Sequence, residues 1–113
     1  MGRCIEMRKL IIFLTPFLVL LALSATARNK GDAEQGKKTF EQCAICHNAD
    51  TDEKKVGPSL KGLFQHKKLK NGKSVSDENV LAMINSGGGG MPSFADTLSK
   101  EEKDNLLAYL HSL

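Results

Sequence analysis

Three stretches of this chain repeat apolar residues at helical spacing, and none alternates apolar with polar residues long enough to suggest a strand. The first begins near Asp32 and runs through Ala33, Gly36, Phe40 and Ala44. A glycine inside a helix costs about 1 kcal/mol relative to alanine. Gly36 therefore implies either a second backbone packed closely against it or a frayed helix start. The second stretch is expected to be capped by Ser76, with Val75 and Val80 spaced for a hydrophobic staple. It carries Val80, Leu81 and Ile84 and stops at Gly87, while Met83 is expected to fill the core against Leu106 or Leu110. The third starts at Ser99, where Ser99 and Glu102 have capping-box spacing. Leu106, Leu107, Tyr109, Leu110 and Leu113 give it a wide apolar face. Between the first two helices, Ser59 to Phe64 reads as one short helical turn, and Asn71-Gly72 offers a turn. The pattern predicts an all-α fold.

The N-terminal apolar run belongs to none of these helices. Arg3, Arg8 and Lys9 precede Leu10 to Leu23, which is broken only by Thr15 and Pro16, and Ala25-Thr26-Ala27 supplies small residues for cleavage. Residues 1–27 thus read as a cleaved signal peptide, leaving a domain of residues 28–113. The run falls short of the roughly 20 residues that span a bilayer, so no stable membrane insertion is expected after cleavage. A retained leader acting as a tether is the alternative. Cys4 lies before the apolar run and leaves with the leader, and Met7 is an alternative start.

The remaining domain is near the small end of what folds alone, burying only about 60% of its chain surface. Its two cysteines stand in Cys43-Ala44-Ile45-Cys46-His47. Two thiols on one helical turn can add to the two vinyl groups of a porphyrin, and the adjacent His47 can supply an axial nitrogen to the iron. A zinc site would need two more ligands, and only the scattered His66 and His111 remain. A thioredoxin-like pair would need a βαβ pattern, which is missing. The motif therefore points to covalently attached heme c, which would also serve as the centre of a small core.

A run of four glycines, Gly87 to Gly90, stands directly before Met91-Pro92. Glycine accepts positive φ and lets backbone approach a flat ligand, and a thioether is a soft ligand that pairs with histidine in electron-transfer hemes. Met91 is thus the expected sixth ligand, with His47 as the fifth. His66 and His111 are expected to be exposed.

Charge changes the picture in one place. From Lys54 to Lys73 the chain carries Lys54, Lys55, Lys61, Lys67, Lys68, Lys70 and Lys73 with no carboxylate. From Ser76 onward, Asp77, Glu78, Asp96, Glu101, Glu102 and Asp104 outnumber Lys100 and Lys103. The separation can orient the molecule towards a charged partner, or the lysines can simply keep the loop solvated. Nucleic-acid binding is not expected, because aromatic interleaving is missing.

On these motifs the chain resembles a monoheme class I cytochrome c of bacterial type along nearly all of residues 28–113. Cys43 to His47 is similar to the family's heme motif, Gly57-Pro58-Ser59-Leu60-Lys61-Gly62-Leu63-Phe64 to the segment after it, and Gly90-Met91-Pro92 to its sixth-ligand loop. Asn105 to Leu110 resembles the C-terminal helix. The resemblance implies a small cytochrome c-like fold, with helices packed around one heme c attached through Cys43 and Cys46. It implies that the Pro58 carbonyl accepts a hydrogen bond from the His47 imidazole. It also implies that the terminal helices cross at Gly36 and Phe40. The chain departs from the family in lacking tryptophan and in its short connection between Phe64 and the second helix.

The function implied is electron transfer by a monomer exported to the bacterial periplasm. A dehydrogenase or quinol-oxidising complex would stand upstream, and an oxidase or peroxidase downstream. Two other classes stay open: a sensor or enzyme in which Met91 leaves the iron, and a heme subunit fixed to a larger oxidoreductase.

Overall fold

The computed structural model describes residues 31–113, so the expected leader lies outside the described residues. Among them run three α-helices: α1 (Ala33–Phe40), α2 (Asp77–Ser86) and α3 (Lys100–His111). A 3-10 turn, Leu63–Gln65, lies between α1 and α2. Strand-like pairing among the described residues is limited to two isolated bridges.

Each helix begins where a side chain can satisfy its first free N–H groups. The Asp32 carboxylate accepts from the Glu34 N–H at 2.8 Å and the Gln35 N–H at 3.3 Å. Ser76 Oγ accepts from the Asn79 N–H at 3.2 Å. At Ser99 the capping box is complete, with Ser99 N–H donating to Glu102 Oε2 at 2.8 Å and Glu102 N–H to Ser99 Oγ at 3.2 Å. The Ser99 N–H bonded to this carboxylate, and then the Ser99 hydroxyl beside it, hold the Glu102 carboxyl below the usual carboxylate range. Helix α2 ends at Gly87, whose φ of 62° only glycine adopts cheaply and whose N–H closes onto the Met83 carbonyl. Helix α1 is shorter than its apolar spacing suggests. Regular helix stops at Phe40, and Cys43 and Ala44 continue it as turns bonded back to the Phe40 carbonyl.

Helices α1 and α3 cross with backbone against backbone. A Cβ on Gly36 would collide with the Asn105 carbonyl and approach Tyr109 Cβ to 2.8 Å. Gly31 abuts Asp104 in the same way, and the Asp32 N–H donates to Asn105 Oδ1 at 2.7 Å. Phe40 and Tyr109 fill the space beside the crossing, their rings 5.2 Å apart and tilted by 54°, within the range aromatic pairs favour. The core is small: Phe40, Leu63, Val80, Ile84, Leu98, Leu106 and Leu110.

Met83 departs from its expected place. It is half-buried and lies outside this core and its flanking residues, whereas Met91 packs against the core. Periodicity places Met83 at the edge of the α2 face carried by Val80 and Ile84, and the shallow core does not reach that edge.

The far end of α3 is fastened by His111. Its ring stacks on Phe64 at 3.5 Å, and Nε2 donates to Asp77 Oδ1 at 2.6 Å, joining α3, the 3-10 turn and the start of α2. The lysine-bearing segment between them folds back on itself. Leu69 N–H bonds to Lys73 O and Val75 N–H to Lys67 O around Gly72, whose φ is 83°.

The crossing generates a prediction. Gly36→Ala gains helix propensity but places a methyl on the Asn105 backbone, and overpacking costs about 1–3 kcal/mol. Chemical denaturation of the heme-loaded protein is expected to show that net loss. An equally stable variant would mean that the helices can part at no cost.

Candidate functional site

The turns after α1 carry the motif. Cys46 N–H and His47 N–H both bond to the Cys43 carbonyl, at 3.0 and 2.9 Å, so Cys43, Cys46 and His47 share one helical turn. Both cysteines are free and half-buried. Burial, and then the neighbouring Cys46, pushes the Cys43 thiol above its usual range, so it stays a thiol at neutral pH.

Residues 55–58 lie along this turn. Gly57 N–H donates to the Cys46 carbonyl at 2.8 Å, Lys55 N–H to the Gly57 carbonyl at 3.1 Å, and Lys55 Nζ to the Ala44 carbonyl at 2.9 Å. His47 Nδ1 is 2.7 Å from the Pro58 carbonyl oxygen. A carbonyl can only accept, so Nδ1 carries the proton, and in the neutral ring the lone pair is then on Nε2. Gly57 covers the ring. A Cβ there would lie 2.5 Å from His47 Cε1 and 2.8 Å from Nδ1, so any larger residue displaces the imidazole.

The rest of the loop is braced by its own polar groups. Asn48 Nδ2 donates to Glu53 O at 2.7 Å, Leu60 N–H to Asn48 O at 2.8 Å, and Ser59 Oγ to Thr51 O at 2.5 Å. Ile45 and Val56 are the large apolar side chains left exposed here.

Met91 comes from the other end of the chain. All four preceding glycines have positive φ, from 61° to 129°. Gly88 and Met91 exchange both backbone hydrogen bonds, at 2.9 and 3.1 Å, which closes the glycines into a tight turn. Gly87 lies against the Met91 carbonyl and within 2.7 Å of Pro92, measured from where its Cβ would stand. The run is therefore a folded loop and not a linker. Phe94 N–H and Ser93 Oγ then bond to the Ile84 and Asn85 carbonyls at 3.0 and 2.5 Å, fixing the return against α2.

The donor set suits a heme iron. It offers one imidazole nitrogen with its tautomer fixed, a thioether on a glycine loop, two free thiols one turn apart and a glycine that leaves room beside the ring. His66 is exposed, with Nε2 3.3 Å from the Lys61 carbonyl, and His111 is used at the end of α3.

The family described as cytochrome c oxidase, cbb3-type, subunit III matches residues 31–110. The chain is a monoheme class I cytochrome c. It is 32% identical to cytochrome c6 of Bryopsis maxima over 81 residues, covering 71% of this chain and 90% of that one. A stretch of 34 residues, 30% of this chain, is 50% identical to cytochrome c2 of Rhodoplanes tepidamans and spans only 35% of that protein. The fold superposes on cytochrome c6 of the diatom Phaeodactylum tricornutum with a TM-score of 0.58 at 25% identity, covering 73% and 93% of the two chains. As a small cytochrome c, the protein carries a covalently bound heme c and transfers electrons; it is not an enzyme.

Sequence reasoning passed over Gly57 and Lys55. The glycine directly before Pro58 was a usable signal for the first, because a residue flanking a carbonyl aimed at His47 must pass close to the ring. No local pattern marks the second.

Gly57→Ala is expected to break the His47–Pro58 hydrogen bond and cost about 1–3 kcal/mol. Denaturation of the heme-loaded protein would measure the loss, and displaced His47 ring resonances in its NMR spectrum would trace it to the imidazole. Unchanged resonances would show that the ring is not seated by Gly57.

Proposed function

We propose that His47 and Met91 are the axial ligands of the heme iron, that Cys43 and Cys46 form its thioether links, and that Pro58 orients His47. The observation that carries this reading is the 2.7 Å contact between His47 Nδ1 and the Pro58 carbonyl. It fixes the ring, reserves Nε2 for a metal and raises its basicity, as such outer contacts do for metal-bound histidines. Heme c, when bound, supplies an iron that cycles between Fe(II) and Fe(III). The chain's task is to hold two ligands without strain in either state. The tight Gly88–Met91 turn and the braced 48–60 loop both suit that task. An apolar surround and a methionine ligand favour the reduced iron, so the potential should be fairly high.

Residues 1–27 act in this reading as a cleaved signal peptide, and the domain works in the bacterial periplasm as a monomer. No helix among the described residues is long and apolar enough to cross a membrane. Electrons would arrive from a dehydrogenase or quinol-oxidising complex and leave to an oxidase or peroxidase. The family description, which names an oxidase subunit, favours a second reading as a heme subunit fixed to a larger complex. Size exclusion of the native periplasmic fraction separates the two: a free carrier elutes at its own mass.

Met91→Ala tests the ligand assignment. The variant is expected to lose the long-wavelength absorption band of methionine–iron ligation, to bind carbon monoxide when reduced and to have a lower potential. A retained band with carbon monoxide excluded would assign the sixth position to another residue. A pyridine hemochrome assay on the Cys43→Ser, Cys46→Ser double variant tests attachment, which should fall to none.

The lysine segment supplies a separate expectation about partners. Lys67, Lys68, Lys70 and Lys73 are exposed and form no ion pair among the described residues, unlike Lys61, which lies 3.4 Å from Asp52. Docking of an acidic partner through them should weaken as ionic strength rises towards 0.15 M, where the screening length is about 8 Å. Transfer rates should fall with salt and fall again in the Lys67→Glu, Lys68→Glu, Lys70→Glu variant, with the potential nearly unchanged. Rates indifferent to both would reduce the segment to a solvated loop.

A further inference from the structure

We propose that Lys55 is a positioning residue for the His47 ring, acting through the segment it anchors. Its ammonium donates to the Ala44 carbonyl at 2.9 Å, and among the described residues this is the one hydrogen bond that carbonyl accepts. Ala44 stands in the turns that prolong α1, where carbonyls run out of helical donors and carry the negative end of the helix dipole. A lysine side chain is a favourable cap at such an end.

The cap holds more than the helix. Lys55 N–H bonds to the Gly57 carbonyl, so the residue that caps Ala44 is tied directly to the residue that covers His47. Gly57 N–H then reaches Cys46, and Pro58 O reaches His47 Nδ1. Residues 55–58 are thus pinned to the attachment turn at Ala44, Cys46 and His47. Removing the first pin leaves Gly57 and Pro58 held to the turn only by their own bonds to Cys46 and His47. Because Lys55 is exposed, its hydrogen bond adds little to stability, and its effect should appear in how the imidazole is seated.

This inference rests on His47 being an iron ligand, and the experiment separates the two. Heme-loaded wild type, Lys55→Met and Lys55→Arg are compared by the paramagnetically shifted heme methyl resonances of the ferric state, which report ring orientation, and by reduction potential. Lys55→Met is expected to change the methyl shift pattern and to lower the equilibrium constant for reduction roughly twofold or more, as loss of a nearby positive charge requires. Lys55→Arg, which keeps charge and donor, should restore both. A wild-type shift pattern in Lys55→Met would overturn the proposal, even with a lowered potential, because only the charge would then matter. So would failure of arginine to restore the pattern.

If His47 is not a ligand, the wild-type protein itself lacks strongly shifted His47 ring protons, whatever Lys55 does. Should Lys55→Met take up no heme, the wild-type ammonium still decides. Lys55 side-chain protons exchanging more slowly than those of exposed Lys70 support the cap, and equally fast exchange removes it.

Discussion

The contact between α1 and α3 at Gly36 sets one helix backbone against the other, and everything downstream takes its direction from that contact. Helix α1 has eight residues, too few to be stable in water without a partner. Backbone contact at Gly36 and Gly31 brings it close enough for Phe40 to reach the core and for the Asp32 N–H to reach Asn105. The motif follows within three residues of the helix end. Its turns are bonded back to Phe40, so the orientation of Cys43 and His47 is inherited from the crossing. Had the helices been spaced by side chains, α1 could roll, and His47 with it.

Two other glycines repeat this logic at the site. Gly57 lets a loop lie on the imidazole, and Gly87 lets the Met91 segment lie on the end of α2. The three positions differ in what they admit: a helix, a ring and a returning loop. All replace side-chain packing with close approach, which suits a domain with seven buried apolar residues in its core among the described residues. Such a core is thin for the 31–113 segment, and a covalently held flat cofactor provides apolar surface that the side chains do not.

Much of this was legible because it is local. Caps at Ser76 and Ser99 follow from hydroxyl chemistry next to an apolar period, the helix start near Asp32 from the period itself, and the stop at Gly87 from its backbone freedom. Gly36 left open a close neighbour or a frayed helix start; the identification of a neighbour with the C-terminal helix came from resemblance. Met83 shows where periodicity runs out. The apolar stripe on α2 says which side faces inward, but not how far the core extends sideways, and Met83 lies beyond its edge. Lys55 shows a different limit. A lysine in a run of lysines looks like surface charge, and only folding brings its ammonium to a carbonyl eleven residues away. The His111–Phe64–Asp77 cluster is of the same kind, since it joins three segments that share no pattern.

The division of the lysines bears on how a carrier should behave. An electron carrier needs a partner surface that attracts quickly and releases quickly, which long-range charge provides better than tight contact does. Lysines bonded to carbonyls or carboxylates, as Lys55 and Lys61 are, have local partners in the fold. Those on the Lys67–Val75 fold-back keep their hydration and their reach, and so contribute field without demanding a geometry. Beside the attachment turn, Ile45 and Val56 remain exposed on the two segments that Lys55 joins. Two exposed apolar side chains cannot hold a partner alone. In the proposed docking they add a preference of orientation to what the lysine charge attracts, which is the compromise that repeated delivery requires.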